Sequence, residues 1–183
     1  MRKIQKHLLS LLVVLLVFGM TGCGVSHGSP EGVVKSLIKS YAKGKEKKIK
    51  DCYGAKSDTS EELQAEIDAT IQYMDVHDME KVKIVDCDIL SENDSYAYVY
   101  ITYNFVLEDE QEYPCISTYM VTKTDRKYYV VPPAEVTEEM SAQAVLDYQE
   151  FMNSDAYKEY RRSYDTFIKK NPGYEEKIAE KLN

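Results

Sequence analysis

YAYVYITYNFVL, residues 96–107, decides the fold. Aromatic and β-branched side chains alternate through it with a period of two, the pattern of a half-buried strand. Ala97, Val99, Ile101, Tyr103 and Phe105 fall on one face; Tyr96, Tyr98, Tyr100, Thr102 and Asn104 fall on the other. The first face is the more apolar and is expected to meet a layer of helices. The second carries three tyrosines in a row, an aromatic surface too large to stand bare without a use. Three readings of it stay open. The C-terminal helices fold back over it with a Tyr/Phe stripe of their own; two copies pair through it; or it is an open stacking platform for a sugar or peptide, to which tyrosine brings a rigid ring with a polar tip.

Three more strands surround this one. VKIVDCDIL (82–90) precedes it across the turn SENDS; YPCISTYMVTK (113–123) follows the charged loop EDEQE; KYYVV (127–131) follows a short TDR turn. Short turns between successive strands make an antiparallel meander.

Helical spacing holds before the sheet. Ser29-Pro30-Glu31 reads as a helix start, with serine at the N-cap, proline at the first position and an acid in the first turn. Val33, Val34, Leu37, Ile38 and Tyr41 form its apolar stripe, and Gly44 ends the run. KEKKIKDCYG (45–54) is a second, short helix with Ile49, Cys52 and Tyr53 inward and its lysines on a solvated face. Thr59-x-x-Glu62 reads as a capping box opening a long third helix, with Leu63, Ile67, Ile71 and Met74 on one stripe. His77 at its end, between Asp75 and Asp78, reads as a partly exposed residue favoured by the helix dipole.

Helical spacing returns after Val131-Pro132-Pro133. Thr137 caps a helix with Met140, Val145, Tyr148, Phe151 and Met152 inward. Ser154 or Asp155 opens another, with Tyr157, Tyr160, Tyr164, Phe167 and Ile168 on one side, and Asn171-Pro172-Gly173 breaks it before a short charged helix. The expected fold is therefore α+β: N-terminal helices packed on a four-stranded antiparallel meander (residues 30–132), with a C-terminal helical extension (133–183) packing on that domain.

The chain opens differently. MRKIQKH is a basic head, LLSLLVVLLVFGM an apolar run of about 13 residues, and small residues follow, Thr21, Gly22, Cys23 and Gly24. A spanning helix needs about 20 apolar residues, so this run has the length of a signal peptide's apolar region. Met20-Thr21-Gly22-Cys23 resembles the lipobox of bacterial lipoproteins, with Met where Leu is usual. That resemblance implies that residues 1–22 are a signal peptide and that Cys23 carries a diacylglyceryl group, palmitate being a typical chain. It also implies that residues 23–29 tether the domain to the outer, extracytoplasmic face of the cell membrane. Two acyl chains give a stable anchor where one gives marginal binding. The order of helices and strands, with the opening SPEGVVKSLIKSYAKGK (29–45), resembles bacterial lipoproteins of the cone-shaped nuclear-transport-factor-2-like superfamily over residues 29–132. It implies a cone-like fold and carries over no functional residue.

Charge bounds the partners. The formal net charge is −8, and it is more negative still without the three basic residues of the head. Such a body is repelled by phosphate backbones, so nucleic acid is not an expected partner. The same acidity argues against attachment to an anionic bilayer through basic residues, which leaves lipidated Cys23 as the membrane contact. A second copy or another envelope protein is the partner left open.

No Walker loop, dinucleotide fingerprint, G-x-S-x-G or H-E-x-x-H occurs, and no cofactor is implied. Cys52, Cys87 and Cys115 lack the C-x-x-C spacing of a zinc site, and no metal is expected. Outside the cytoplasm Cys52 can bridge to Cys87 or Cys115, or all three stay as buried thiols. EDEQE (108–112) holds four carboxylates without the glycine of a calcium loop, so it reads as a solvated hairpin tip. Asp86 and Asp88 share alternation with Val82 and Ile84. Inside a cone, Asp86 would be a desolvated general base, with Tyr103 and Tyr119 as hydroxyl donors. Two functions follow: a non-catalytic binding or protein-interaction domain on a lipid anchor, or a small-molecule-binding, isomerase-like cone enzyme using a buried carboxylate.

Overall fold

The computed structural model describes residues 24–55 and 59–183. Helices α1 (Pro30–Tyr41), α2 (Glu46–Cys52) and α3 (Glu61–Asp75) lead into strands β1 (Met79–Glu92), β2 (Tyr96–Leu107), β3 (Glu112–Thr124) and β4 (Lys127–Val130). After a 3-10 turn at Pro133–Glu135 come α4 (Glu138–Phe151), α5 (Asp155–Lys170) and α6 (Tyr174–Leu182). The strands form one antiparallel sheet in the order β1-β2-β3-β4. The fold is α+β, with helices before and after the sheet.

Local chemistry sets the ends. The Ser29 hydroxyl accepts from the Gly32 amide, Thr137 from Met140 and Ser154 from Tyr157. The cap of α3 is Ser60, which accepts from Leu63, so the helix starts one residue after the expected Thr59. Asp125 and Arg126 both take positive φ in the β3–β4 turn, the geometry of the hairpin turns that match strand twist.

The first face of β2 packs as expected. Val99, Ile101 and Phe105 are sealed against Val33, Val34, Leu37 and Ile38 of α1, with Ile49 of α2 and Ile67 of α3 beside them. Each such side chain contributes about 1.5–3 kcal/mol on burial.

The second face is closed too. Tyr96 and Tyr98, with Met120 and Val131, pack under Met140, Ala144 and Tyr148 of α4. The Tyr100 ring lies 4.4 Å from that of Phe151. The sheet is thus sandwiched: α1–α3 on one side, α4 on the other. Val145, expected inward, is 56% exposed, and Ala144 takes its place. Seating Tyr148 and Phe151 on the tyrosine row fixes the rotation of α4 about its axis and turns Val145 and Leu146 to solvent.

β4 pairs only with Val121–Thr124, so the rest of the outer edge of β3 has no strand beside it. α5 packs against β3. Phe167 stacks edge-on against Tyr113 at 5.1 Å, and Asn171 at its end donates to Gln111 in the β2–β3 hairpin. Covering an open edge with a helix blocks pairing with foreign strands.

The segment expected to be a loose tether is strapped down. Val25 packs on the core. The Ser26 amide donates to the Ser36 hydroxyl, and the Tyr128 amide to the His27 carbonyl. His27 Nδ1 lies 2.7 Å from the Tyr128 carbonyl oxygen, with its ring against Tyr129. Among the described residues Gly24 alone precedes this strap.

Candidate functional site

β1 carries three register shifts against β2, one of them between Ile84 and Asp86. Such a bulge adds a residue and turns the following side chains over. Val85 is left 53% exposed. Beyond it Cys87 points to α1, its thiol 3.9 Å from the Glu31 carbonyl, and Asp86 and Asp88 face the other way. Asp86 is exposed, and it accepts from the Tyr100 hydroxyl at 2.6 Å and from the Cys87 amide. Tyr103 lies on the opposite face, in the main core, bonded to Ser117. Tyr119 is not bonded to either. The expected base and its two hydroxyls therefore do not converge.

Tyr96 and Tyr100 are buried under α4 and offer no open platform, because the C-terminal helix takes that face. Tyr98 is equally buried, 6% exposed; its hydroxyl donates to Thr118 at 3.0 Å and its edge borders a cleft.

That cleft, of about 460 Å³, opens beside β3 where β4 no longer accompanies it. Tyr41, Tyr53, Glu66 and Thr70 bring the N-terminal helices to one wall. Val136, Ala144 and Val145 bring the C-terminal segment to the other, and Tyr98, Thr118 and Tyr119 supply the floor. The Tyr41 and Tyr53 hydroxyls bond each other at 3.1 Å. Burial pushes the pKa of Tyr41, Tyr53, Tyr98 and Tyr119 above the ordinary phenol value. All four are neutral hydroxyls at physiological pH. Glu66 is the one carboxylate of the lining and is exposed. Tyr41, Tyr53 and Tyr98 are at most 9% exposed, so the cleft offers a ligand their edges and hydroxyls beside the exposed Glu66 and Val145, with no open ring to stack on.

A second polar constellation was not foreseen. His77 is buried, 4% exposed, among the rings of Tyr73, Phe105, Tyr113 and Tyr174. Its Nε2 has no partner among the described residues. Burial holds its pKa down at about 4, with the nearby Lys181 ammonium adding to the effect. Glu175, from the same helix as Tyr174, accepts from the hydroxyls of both Tyr113 and Tyr164. Only Tyr73 is local to residue 77; the other three walls come from β2, β3 and α6, so the sequence around it does not signal this cage.

Cys52, Cys87 and Cys115 are all free, buried thiols in this structure. Glu108, Asp109 and Glu110 lie exposed at the hairpin tip. Among the described residues no group of three His, Cys, Asp or Glu side chains is placed to hold a metal ion. No described helix is long and apolar enough to cross a membrane. Cys23 lies outside the described residues.

No family model matches the chain, and no curated protein matches it. Among solved structures, a SEC-C motif containing protein from Rhodopseudomonas palustris, determined in solution, matches at 19% identity. The match covers 57% of this chain and 76% of that one, with a TM-score of 0.39, too low to bear on fold or function.

Proposed function

We propose that the chain is a lipid-anchored, extracytoplasmic binding domain that works through its tyrosine-lined cleft and performs no catalysis. The cleft carries the binding half of this reading. Its hydroxyls are neutral, its apolar wall comes from α4, and its volume suits part of an extended ligand. The lipobox-like Met20–Cys23 carries the address. The enzyme alternative asks for a buried carboxylate in a cavity, and Asp86 is exposed and bonded to Tyr100.

Two measurements test the two halves. Intact mass and detergent partitioning of wild type and Cys23→Ala test the anchor. Wild type is expected in the detergent phase with acylated Cys23 at its N-terminus, and the variant in the aqueous phase; equal mass and equal partitioning overturn it. For the cleft, four of the chain's sixteen tyrosines, Tyr41, Tyr53, Tyr98 and Tyr119, lie in its lining and the chain has no tryptophan, so part of the tyrosine emission reports on it. Titration with neutral oligosaccharides and short peptides is expected to quench wild type and to quench Val145→Glu at least tenfold more weakly. Equal quenching of the two removes the cleft as the working surface.

A further inference from the structure

The lysine-rich α2 stands beside the point where the chain leaves the described domain. Gly24 and Val25 line one hollow with Lys47, Lys48 and Lys50 and with two carboxylates, Glu46, paired with Lys50, and Asp51, which lies 3.6 Å from His27. Seven lysines lie between Lys35 and Lys50, opposed within that stretch by Glu46 alone. Lys39, Lys43, Lys45 and Lys47 are exposed. Lys50 is paired with Glu46 at 2.6 Å and stays close to its helix. In a chain that is acidic overall, this is a local reversal of charge.

The strap gives that reversal a direction. Val25 is packed on the core, Ser26 and His27 are bonded to Ser36 and Tyr128, and Ser29 caps α1. No slack remains after Gly24. Consecutive Cα atoms are about 3.8 Å apart, so a lipid on Cys23 enters its membrane within a few ångströms of the Gly24 backbone. The helix sharing a hollow with Gly24 then lies at headgroup level.

We propose that the lysine face of α1–α2 rests on anionic phospholipid headgroups and fixes the orientation of the domain on its membrane. This rests on the lipid-anchored reading and goes beyond it, because an anchor alone leaves the body free to tumble. Charge complementarity selects the occupant. Lysines held at an anionic surface each raise partitioning roughly fivefold, and salt removes the effect within a Debye length. Net charge does not oppose this, because at physiological ionic strength the field at the headgroups is set by charges within about 8 Å. The expectation that an acidic body cannot use basic residues on a bilayer treats the charge as uniform, and here it is not.

The test uses the processed, lipidated protein in vesicles of phosphatidylcholine alone and of phosphatidylcholine with phosphatidylglycerol. Flotation reports the anchor. Brief amine acetylation read by mass spectrometry reports the lysine face, with Lys158 and Lys169 of α5 as controls. Lys43, Lys45 and Lys47 are expected to be labelled at least fivefold more slowly on the anionic vesicles, to recover at 1 M salt, and to do so while the controls stay constant. Flotation with equal labelling on both vesicles overturns the orientation and leaves the anchor standing. Failure to float on either overturns both. Equal protection by soluble polyphosphate on neutral vesicles assigns the lysines to a phosphate polymer and overturns the bilayer as occupant.

Discussion

His77 and Tyr174, 97 positions apart, meet with Nδ1 and the phenol oxygen 2.8 Å apart. The contact fastens α6 to the turn where α3 gives way to β1. It also places an ionisable ring in an aromatic cage that disfavours its charged form.

Stability is therefore expected to fall with acid. The folded-state pKa of His77 is about 4, against 6.5 for the free side chain. Between those values the unfolded chain binds more protons than the folded one. The contribution is fully present above pH 6.5 and is lost as pH falls toward 4, by on the order of 3 kcal/mol in all. Urea midpoints measured from pH 7 to pH 4 check this. His77→Phe should remove that part of the slope, and an unchanged slope would show that the ring does not titrate with folding.

The hydroxyl pair in the cleft invites a double-mutant cycle. Tyr41→Phe and Tyr53→Phe each leave one buried hydroxyl without its mate, at a cost of about 1–2 kcal/mol. Removing both is expected to cost less than the sum, with a coupling of about 1 kcal/mol. Additive losses in chemical denaturation would mean that the two hydroxyls do not bond in solution.

On α4 two neighbouring surfaces should behave in opposite ways. Phe151 is 5% exposed and stacks on Tyr100 and Tyr157, so Phe151→Ala is expected to cost about 3 kcal/mol. Leu146 is 60% exposed, and Leu146→Ala should change stability by less than about 0.5 kcal/mol. Thermal melts of the two variants decide whether α4 sits in the rotation described.

The thiols should be inert until the chain opens. Burial pushes Cys52 and Cys87 up to about 12 and Cys115 higher still, so little thiolate exists at pH 8. If Cys23 carries the proposed lipid, a disulfide exchange reagent is expected to find no reactive thiol in the folded protein and three after guanidinium. A fourth would betray an unmodified Cys23.

Legibility in the sequence followed the range of the interactions. The alternation in β2 and the hydroxyl caps at Ser29, Thr137 and Ser154 depend on residues within a few positions, and all were readable. The Tyr/Phe stripe of α5 joins the core through Tyr164, Phe167 and Ile168. Asp86 was misplaced because a bulge adds one residue without any marker in the residue types. On α4, Met140, Tyr148 and Phe151 face inward as the spacing implies, while Val145 and Met152 are exposed because the helix's rotation is set by what it lands on. His77, which by sequence reads as a partly exposed helix-end residue, is buried and held by Tyr174, nearly a hundred residues away. The cleft had no local signature at all, since its walls come from both ends of the chain.

The helix that seals the tyrosine row ends at Phe151, so that row forms long before its cover exists. During synthesis from N- to C-terminus, β2 and β3 emerge with Tyr96, Tyr98 and Tyr100 still wet and unshielded. The nascent chain then passes through a sticky interval of some thirty residues, in which premature self-association competes with closure. Any chaperone serving the emerging chain would have its work concentrated there.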